Sequence, residues 1–178
     1  RDLCAYRGLG DVYKRQELVR EYIDARGYLF NQNVEPLYRF GNDQTNWSDD
    51  AGRVTIKYSE FTTVIWKQDG EQYSRFIVDG YSPTKDAEAH NFITRDGYTD
   101  ILNTSSIVII QGPLYNDEAT TLPSVLTVGV GPLTIISNGK YIQGTWRRND
   151  IADPFEFYDN DTNKIQVPPS KQWIHLLP

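Results

Sequence analysis

The stretch that decides the fold is residues 133–146, with the sequence LTIISNGKYIQGTW. Two short runs of strand-forming residues flank Asn138-Gly139, and an Asn-Gly pair in that position is a strong signal for a two-residue hairpin turn. The stretch therefore predicts two antiparallel strands, Leu133 to Ser137 and Tyr141 to Trp146.

The same strand-and-turn pattern continues on both sides of this hairpin. Residues 53–58 alternate polar and apolar side chains, as a half-buried strand does. Asp69-Gly70 marks a second hairpin turn, and Gly131-Pro132 is expected to interrupt the chain before Leu133. Residues 106–111 are apolar through their middle and predict a central strand buried on both faces. The other predicted strands are residues 62–67, 72–78, 125–130, 155–158, 164–167 and 173–177. Residues 81–104 are polar without a clear period and predict a long loop.

The N-terminal part of the chain has a different character. Residues 17–26 have the spacing of a short amphipathic helix, and Gly27 is a natural stop after it. Residues 28–50 predict a linker that Phe40 and Trp47 pin to the domain surface. Residues 1–16 resemble a translated adapter sequence that recurs in metagenomic assemblies and are expected to be a non-native artefact.

Together these patterns predict a mainly β fold, α+β at the level of the whole chain. The expected architecture is an antiparallel β-sandwich or open barrel with one short N-terminal helix. The expected organisation is an artefact segment at 1–16, a helix and linker from the junction with an upstream half at 17–50, and a β domain at 51–178.

Charge and composition exclude several classes of function. The 178 residues carry a net charge of −6, and because residues 1–16 carry +2, the remainder carries −8. Such an acidic chain disfavours binding to nucleic acid or to anionic lipid headgroups. Cys4 is the only cysteine, so a disulfide or a thiolate metal site within the β domain is excluded. No apolar run approaches 18 residues, and direct membrane insertion of this chain is not expected.

No catalytic or metal motif is predicted. Asp159, Asp161 and Asn163 have the spacing of calcium ligands, but Lys164 occupies the position where an EF-hand loop needs glycine. An Asx-rich turn explains the same residues, so no metal and no cofactor are predicted. His90 and His175 are both predicted to be surface residues, without the setting of a catalytic triad.

One set of residues could bind a ligand. Aromatic rings and guanidinium groups together suit sugar rings and carboxylates, and the residues that supply them here are Tyr73, Arg75, Trp146, Arg147 and Trp173. The favoured alternative is that Trp146 and Trp173 are core anchors and that the arginines pair with acids, since large aromatic side chains usually serve burial.

The order of several short motifs points to a family. These motifs are Arg53-Val-Thr-Ile, Tyr73-Ser-Arg75, Gly129-x-Gly131, Asn138-Gly139-Lys140-x-x-x-Gly144-Thr145-Trp146-Arg147-Arg148, Asp153-Pro154-x-x-x-Tyr158-Asp159 and Trp173-Ile174. Residues 17–178 resemble the C-terminal half of the YerB-like lipoproteins, bacterial envelope proteins whose domain has no known function. The chain departs from that pattern at Ser106, where members usually have asparagine, at Pro132, and in the segment before Trp173.

The resemblance implies an extracytoplasmic location and anchoring through a lipidated N-terminal segment, and it supplies no catalytic residues. We therefore expect a non-catalytic binding or scaffolding domain of a cell-envelope lipoprotein, whose partner is an envelope protein or a cell-wall polymer. The alternative is an envelope hydrolase that acts on cell-wall material with a site shared with an upstream half. A purely structural domain is the third possibility.

Overall fold

The computed structural model describes residues 21–27, 36–42, 47–81, 86–94, 96–116 and 122–178. The strands are β1 (Ser48–Asp49), β2 (Arg53–Lys57), β3 (Thr62–Asp69), β4 (Gln72–Asp79), β5 (Ala87–Ala89), β6 (Asn91–Ile93), β7 (Thr99–Ile101), β8 (Asn103–Thr104), β9 (Ser106–Gln111), β10 (Leu114–Asn116), β11 (Pro123–Val125), β12 (Gly129–Ser137), β13 (Lys140–Arg148), β14 (Glu156–Asp159), β15 (Lys164–Ile165) and β16 (Gln172–Leu177). Residues 21–25 are helical.

Two sheets make up most of the fold. The larger sheet has the order β15-β14-β13-β12-β9-β16, and β1 pairs with β13. The smaller sheet has the order β2-β3-β4-β5, and β8 pairs with β4. Every pairing between these strands is antiparallel except that of β16 with β9. Within the described residues, neither sheet closes into a barrel. The β-sandwich prediction is confirmed, with two small ribbons, β6-β7 and β10-β11, added to it.

Strand β9 lies between two hydrophobic cores, as its apolar run predicted. Val108 and Ile110 enter the core on one face of the larger sheet, together with Trp146 and Phe157. Ile107 enters the core on the opposite face, where residues of both sheets meet. The second core contains Ala51, Ile56, Val64, Trp66, Tyr73, Ile107 and Ile136, and Trp173 packs against it. Burial on both faces explains why β9 has no alternation.

The two predicted hairpins are present. Asn138 and Gly139 have φ angles of 50° and 74°, the left-handed values that a type I′ turn requires at both central residues. In the β3-β4 hairpin, Asp69 pairs with Gln72, so the turn residues are Gly70 and its successor, one position later than predicted. Gly70 has a φ of 61°, which fits a type II′ turn.

The loop predicted over residues 81–104 is wrong where the structure describes it, because this stretch contains β5 to β8. These strands have two or three residues each, too few for a periodic pattern to emerge in the sequence. The predicted interruption at Gly131-Pro132 is wrong as well, since β12 runs through both residues. Pro132 lies one residue beyond the β9 pairing, so its missing N–H removes no bond on that side.

The segment before β2 adds to the first core. Trp47 is buried there, as predicted. Phe40 is 47% exposed, and the second residue that anchors this segment is Tyr38, which is only 2% exposed. Tyr38 forms a bridge with Phe155, and Phe40 forms one with Val167. Burial raises the pKa of Tyr38 to about 12.

The chain divides into two compact units, one made of Arg1–Val34 and Thr94–Tyr98 and the other of Glu35–Ile93 and Thr99–Pro178. The described part of the first unit contains the helical residues 21–25. Gly27 lies just after them and has a φ of 70°. That value agrees with the predicted helix stop. The remainder of the predicted helix and residues 1–16 lie outside the described residues. No helix in the described parts has the length and apolarity needed to cross a membrane.

Candidate functional site

Arg75 lies among aromatic rings between the two sheets. Its carbon Cζ is 5.0 Å from the centroid of the Trp173 ring and 5.9 Å from that of the Trp66 ring. β4 places Tyr73 and Arg75 on the same face, because side chains two residues apart point the same way from a strand. Tyr73 enters the second core, so Arg75 also points towards the larger sheet.

The guanidinium of Arg75 has no acidic partner among the residues that the structure describes. Its Nη1 contacts the Nδ1 of His90, while its Nε is buried without a hydrogen-bond acceptor. Among the described residues, no carboxylate lies within ion-pairing distance of it. Burial lowers the pKa of Arg75, and the nearby Tyr58 opposes that shift. The site is therefore a partly desolvated cation held by aromatic rings.

His175 lies beside this cation and is buried, with 1% of its surface exposed. The indole Nε1 of Trp66 donates a hydrogen bond of 2.9 Å to the Nε2 of His175, and the Tyr58 hydroxyl contacts the Nδ1. Since Nε2 accepts, the neutral ring carries its proton on Nδ1 and donates it to the Tyr58 oxygen. Burial and then the charge of Arg75 lower the pKa of His175 to about 4.

The prediction of a surface position for His175 is therefore wrong. Side chains of a strand point alternately to its two faces. On β16 the face that points towards the second core carries Trp173, His175 and Leu177. His90 is only partly buried, but it touches Arg75 and does not stand alone in a polar loop. Its backbone N–H donates to the Arg75 carbonyl at 2.9 Å.

The five residues predicted from the sequence do not line one groove. Arg75 and Trp173 are in contact, and Tyr73 is fully buried with its hydroxyl accepting a 2.9 Å hydrogen bond from the N–H of Gly139. Trp146 is fully buried in the first core, on the opposite face of the larger sheet, and donates from Nε1 to the Gln111 carbonyl at 2.7 Å.

Arg147 is also remote from the site. It extends from β13 over the ring of Tyr158, with Cζ 4.8 Å from the ring centroid. β13 is three strands away from β16, which corresponds to about 14 Å at the usual strand spacing. The structure thus retains Arg75 and Trp173 from the predicted set and adds Tyr58, Trp66, His90 and His175.

A second polar feature lies at the ends of β9 and β12. The Ser106 hydroxyl bonds to those of Ser137 at 2.9 Å and Ser170 at 2.7 Å. A cavity of about 370 Å³ adjoins this chain of hydroxyl groups. Its lining residues are Asn42, Glu71, Gln72, Ser105, Ser137, Asn138, Pro168 and Ser170. Glu71 is the only charged residue in the described part of that lining, which therefore does not offer a pair of carboxylates.

The calcium-like spacing at Asp159 forms a turn, as the alternative explanation proposed. The Oδ1 of Asp159 accepts hydrogen bonds from the backbone N–H groups of Asp161 and Asn163, at 2.9 and 2.8 Å. Its Oδ2 accepts one from the Asn163 side chain at 3.0 Å. The side-chain amide of Asn163, followed by these backbone groups, lowers the pKa of Asp159.

Two of three comparisons with known proteins give a match. Residues 52–174 match the family model described as the C-terminal domain of a protein of unknown function, DUF3048. A comparison with curated proteins gives no match. The fold resembles the crystal structure of YerB from Bacillus subtilis, with a TM-score of 0.59 and 17% identity. The alignment covers 92% of this chain and 51% of YerB, so the chain spans about half of that protein's length.

The family match covers more than half of the chain and agrees with the order of motifs in the sequence, so the chain belongs to the DUF3048 C-terminal domain family and has a YerB-like fold.

Proposed function

We propose that this domain is a non-catalytic binding module that holds a carboxylate group of its ligand against Arg75. The observation that supports this proposal is the partly buried guanidinium, which has no acidic partner in the described parts of the chain. The chain contains 24 acidic residues against 18 lysines and arginines, so an arginine without a carboxylate neighbour is unexpected. Arginine binds carboxylates through two parallel hydrogen bonds, and a ligand could supply the missing acceptor.

The surroundings of Arg75 suit such a ligand. The rings of Trp66 and Trp173 restrict the guanidinium, which reduces the entropy lost when the ligand binds. The Tyr58 hydroxyl accepts from His175 and keeps its own hydrogen for donation to a bound oxygen. Among the described residues near the guanidinium, Tyr58, His90 and His175 bring no negative charge to it.

The proposal places the module at the bacterial cell envelope, anchored through a lipidated N-terminal segment, as the YerB-like resemblance implies. Its ligand there is a protein partner or a cell-wall polymer with free carboxylates. A glycoside hydrolase would need a carboxylic acid able to donate a proton to the leaving group. The cavity that contains Asp159 and Asp161 provides two carboxylates, but the hydrogen bonds to Asp159 lower its pKa and favour its charged form.

The test is a titration with N-acetylglutamate, a small ligand with free carboxylates, followed by NMR at the indole N–H signals of Trp66 and Trp173. We expect millimolar affinity for the unmodified chain, at least tenfold weaker binding for Arg75→Gln, and an intermediate loss for Arg75→Lys because lysine lacks the planar fork. Arg53→Gln is the matched control, since Arg53 is an exposed arginine of the same sheet, and its affinity should stay within twofold.

Two results would overturn the proposal. The first is equal binding by Arg75→Gln, with the melting temperature used to confirm that the variant is folded. The second is release of soluble fragments when the domain is incubated with purified peptidoglycan, because that outcome would make it a hydrolase.

A further inference from the structure

One edge of the larger sheet is open at β16. β16 pairs with β9 on one side, and no described strand pairs with its other side. The N–H of Gly112 donates to the Leu177 carbonyl at 2.9 Å, and that of Ser106 donates to the Lys171 carbonyl at 3.1 Å. These two carbonyls face β9. Along a strand, the backbone N–H and C=O groups of successive residues point alternately to its two edges. The backbone groups of Ile174 and Leu176 therefore point to the open edge.

This edge lacks the features that usually prevent strand pairing. Exposed edge strands are normally short, or carry charged residues or proline. β16 has six residues, Gln172–Leu177, without lysine, arginine, an acidic residue or proline. By contrast, β2, at the edge of the smaller sheet, begins with Arg53 and ends with Lys57. β15, at the opposite edge of the larger sheet, has two residues, of which one is Lys164.

Arg75 is in contact with a residue of this edge strand. The Trp173 side chain projects from β16 towards the second core and contacts the guanidinium. A strand added to β16 would lie about 4.8 Å from it, and every second side chain of that strand would enter the layer that contains Arg75. An acidic side chain there would provide the acceptor that the guanidinium lacks.

We propose that the open edge of β16 binds an extended peptide segment of a partner protein as an additional strand, with an acidic side chain of that segment bound to Arg75. This inference rests on the proposed function and names its ligand class. The backbone bonds provide affinity, and the carboxylate provides specificity, as in other cases of strand addition. A glycan lacks the alternating N–H and C=O groups that this edge would pair with.

A second copy of the chain fits the edge less well. β16 contains no aspartate or glutamate, so pairing between two β16 strands would supply no carboxylate to Arg75. Two chains that each carry a net charge of −6 also repel each other. A partner segment with an acidic residue satisfies both the backbone groups and the cation.

The experiment uses a blocked heptapeptide in which threonine and valine alternate around a central glutamate, with affinity measured by calorimetry. Two analogues carry N-methyl groups on alternate residues, one analogue for each edge of the peptide. A strand uses only one of its edges to pair with β16, so we expect one analogue to lose at least tenfold in affinity and the other to bind like the parent. A glutamine peptide should also bind at least tenfold more weakly.

The protein side of the test is Leu176→Pro, which removes an N–H that faces the open edge. Leu176 is 44% exposed, so the change leaves the cores intact, and Leu176→Ala is the matched control that keeps the N–H. Leu176→Pro should weaken peptide binding at least tenfold but leave N-acetylglutamate binding unchanged, whereas Leu176→Ala should stay within twofold for both ligands.

The outcomes separate this inference from the proposed function. If both methylated peptides bind as well as the parent, strand addition is overturned, while N-acetylglutamate binding that depends on Arg75 still supports the carboxylate site. Loss of that dependence overturns the proposed function itself. A dimer in light scattering that Leu176→Pro dissociates would show that a second copy occupies the edge, and it would overturn the peptide proposal.

Discussion

Acidification should destabilise this domain through His175, starting at a pH well above the range in which carboxylates become protonated. The pKa of His175 is lowered from 6.5 to about 4 in the folded protein, first by burial and then by the charge of Arg75. Protonation would also place a hydrogen on Nε2, where the Trp66 indole already donates. The charged ring is therefore poorly accommodated in the core.

The sign and the size of the effect follow from linkage. Between pH 6.5 and 4 the unfolded chain binds a proton at His175 and the folded chain does not, so the free energy of unfolding falls as the pH falls. A pKa difference of about 2.5 units corresponds to about 3 kcal/mol. The full stabilisation is present above pH 6.5, and the loss is complete below pH 4. For a domain with a total stability of roughly 5–15 kcal/mol, such a loss is large.

The assay is urea denaturation at half-unit intervals from pH 4 to pH 7.5, for the unmodified chain and for His175→Gln. Glutamine can accept the indole hydrogen bond but does not titrate, so the variant should be less stable at pH 7.5 and lose less stability on acidification. The difference between the two curves removes the contribution of the carboxylates. Parallel curves would refute the reasoning, as would an NMR titration in which His175 gains its proton near pH 6.5.

Further predictions concern the packing of the larger sheet. A Cβ at Gly131 would lie 2.2 Å from the Gln111 carbonyl oxygen and 2.7 Å from the Trp146 Nε1, so Gly131→Ala should lower the free energy of unfolding by about 3 kcal/mol. Gly52→Ala, whose Cβ meets nothing closer than 3.7 Å, should change it by less than about 0.5 kcal/mol in the same urea titration. Trp146→Ala should lower the free energy of unfolding by about 3–5 kcal/mol because the side chain is fully buried. A smaller loss would indicate that neighbouring side chains fill the cavity left by the indole. Asn138 has a left-handed φ of 50°, so Asn138→Ala should lower the free energy of unfolding by about 1 kcal/mol. Asn138→Gly should leave it nearly unchanged, and thermal melts measure both.

Local patterns explain why much of the fold could be predicted. The Asn138-Gly139 turn requires two positive φ angles that few other residue pairs adopt, so these two residues were enough to predict the hairpin. The apolar run of β9 predicted burial on both faces because no alternation remains when both sides are covered. Strands β5 to β8 were missed because two or three residues are too few to show a period. β8 is in addition held by a segment distant in sequence, through the pairing of Ser74 with Asn103.

The candidate site was harder to predict because its members are far apart in the sequence. The interpretation of Trp146 and Trp173 as core anchors was correct for Trp146, whose burial follows from its position in β13. The position of His175 depended on which face of β16 turns inward, and the mixed composition of that strand does not decide this. Arg75 was among the residues selected from the sequence, but its neighbours Tyr58, Trp66 and His90 are brought to it only by the pairing of the smaller sheet and the packing of the two sheets.

The absence of an acidic partner for Arg75 among the described residues is a property that no sequence pattern encodes, and it destabilises the fold. Removing water from a guanidinium destabilises the fold unless other groups compensate, and here the two tryptophan rings compensate only in part because the buried Nε has no acceptor. A glutamate at a neighbouring position of β5 or β8 would remove this cost by forming an ion pair. It would also occupy the site. An unpaired arginine beside an open, uncharged strand is therefore costly for an isolated domain and useful for a domain whose partner supplies both the missing strand and the missing carboxylate.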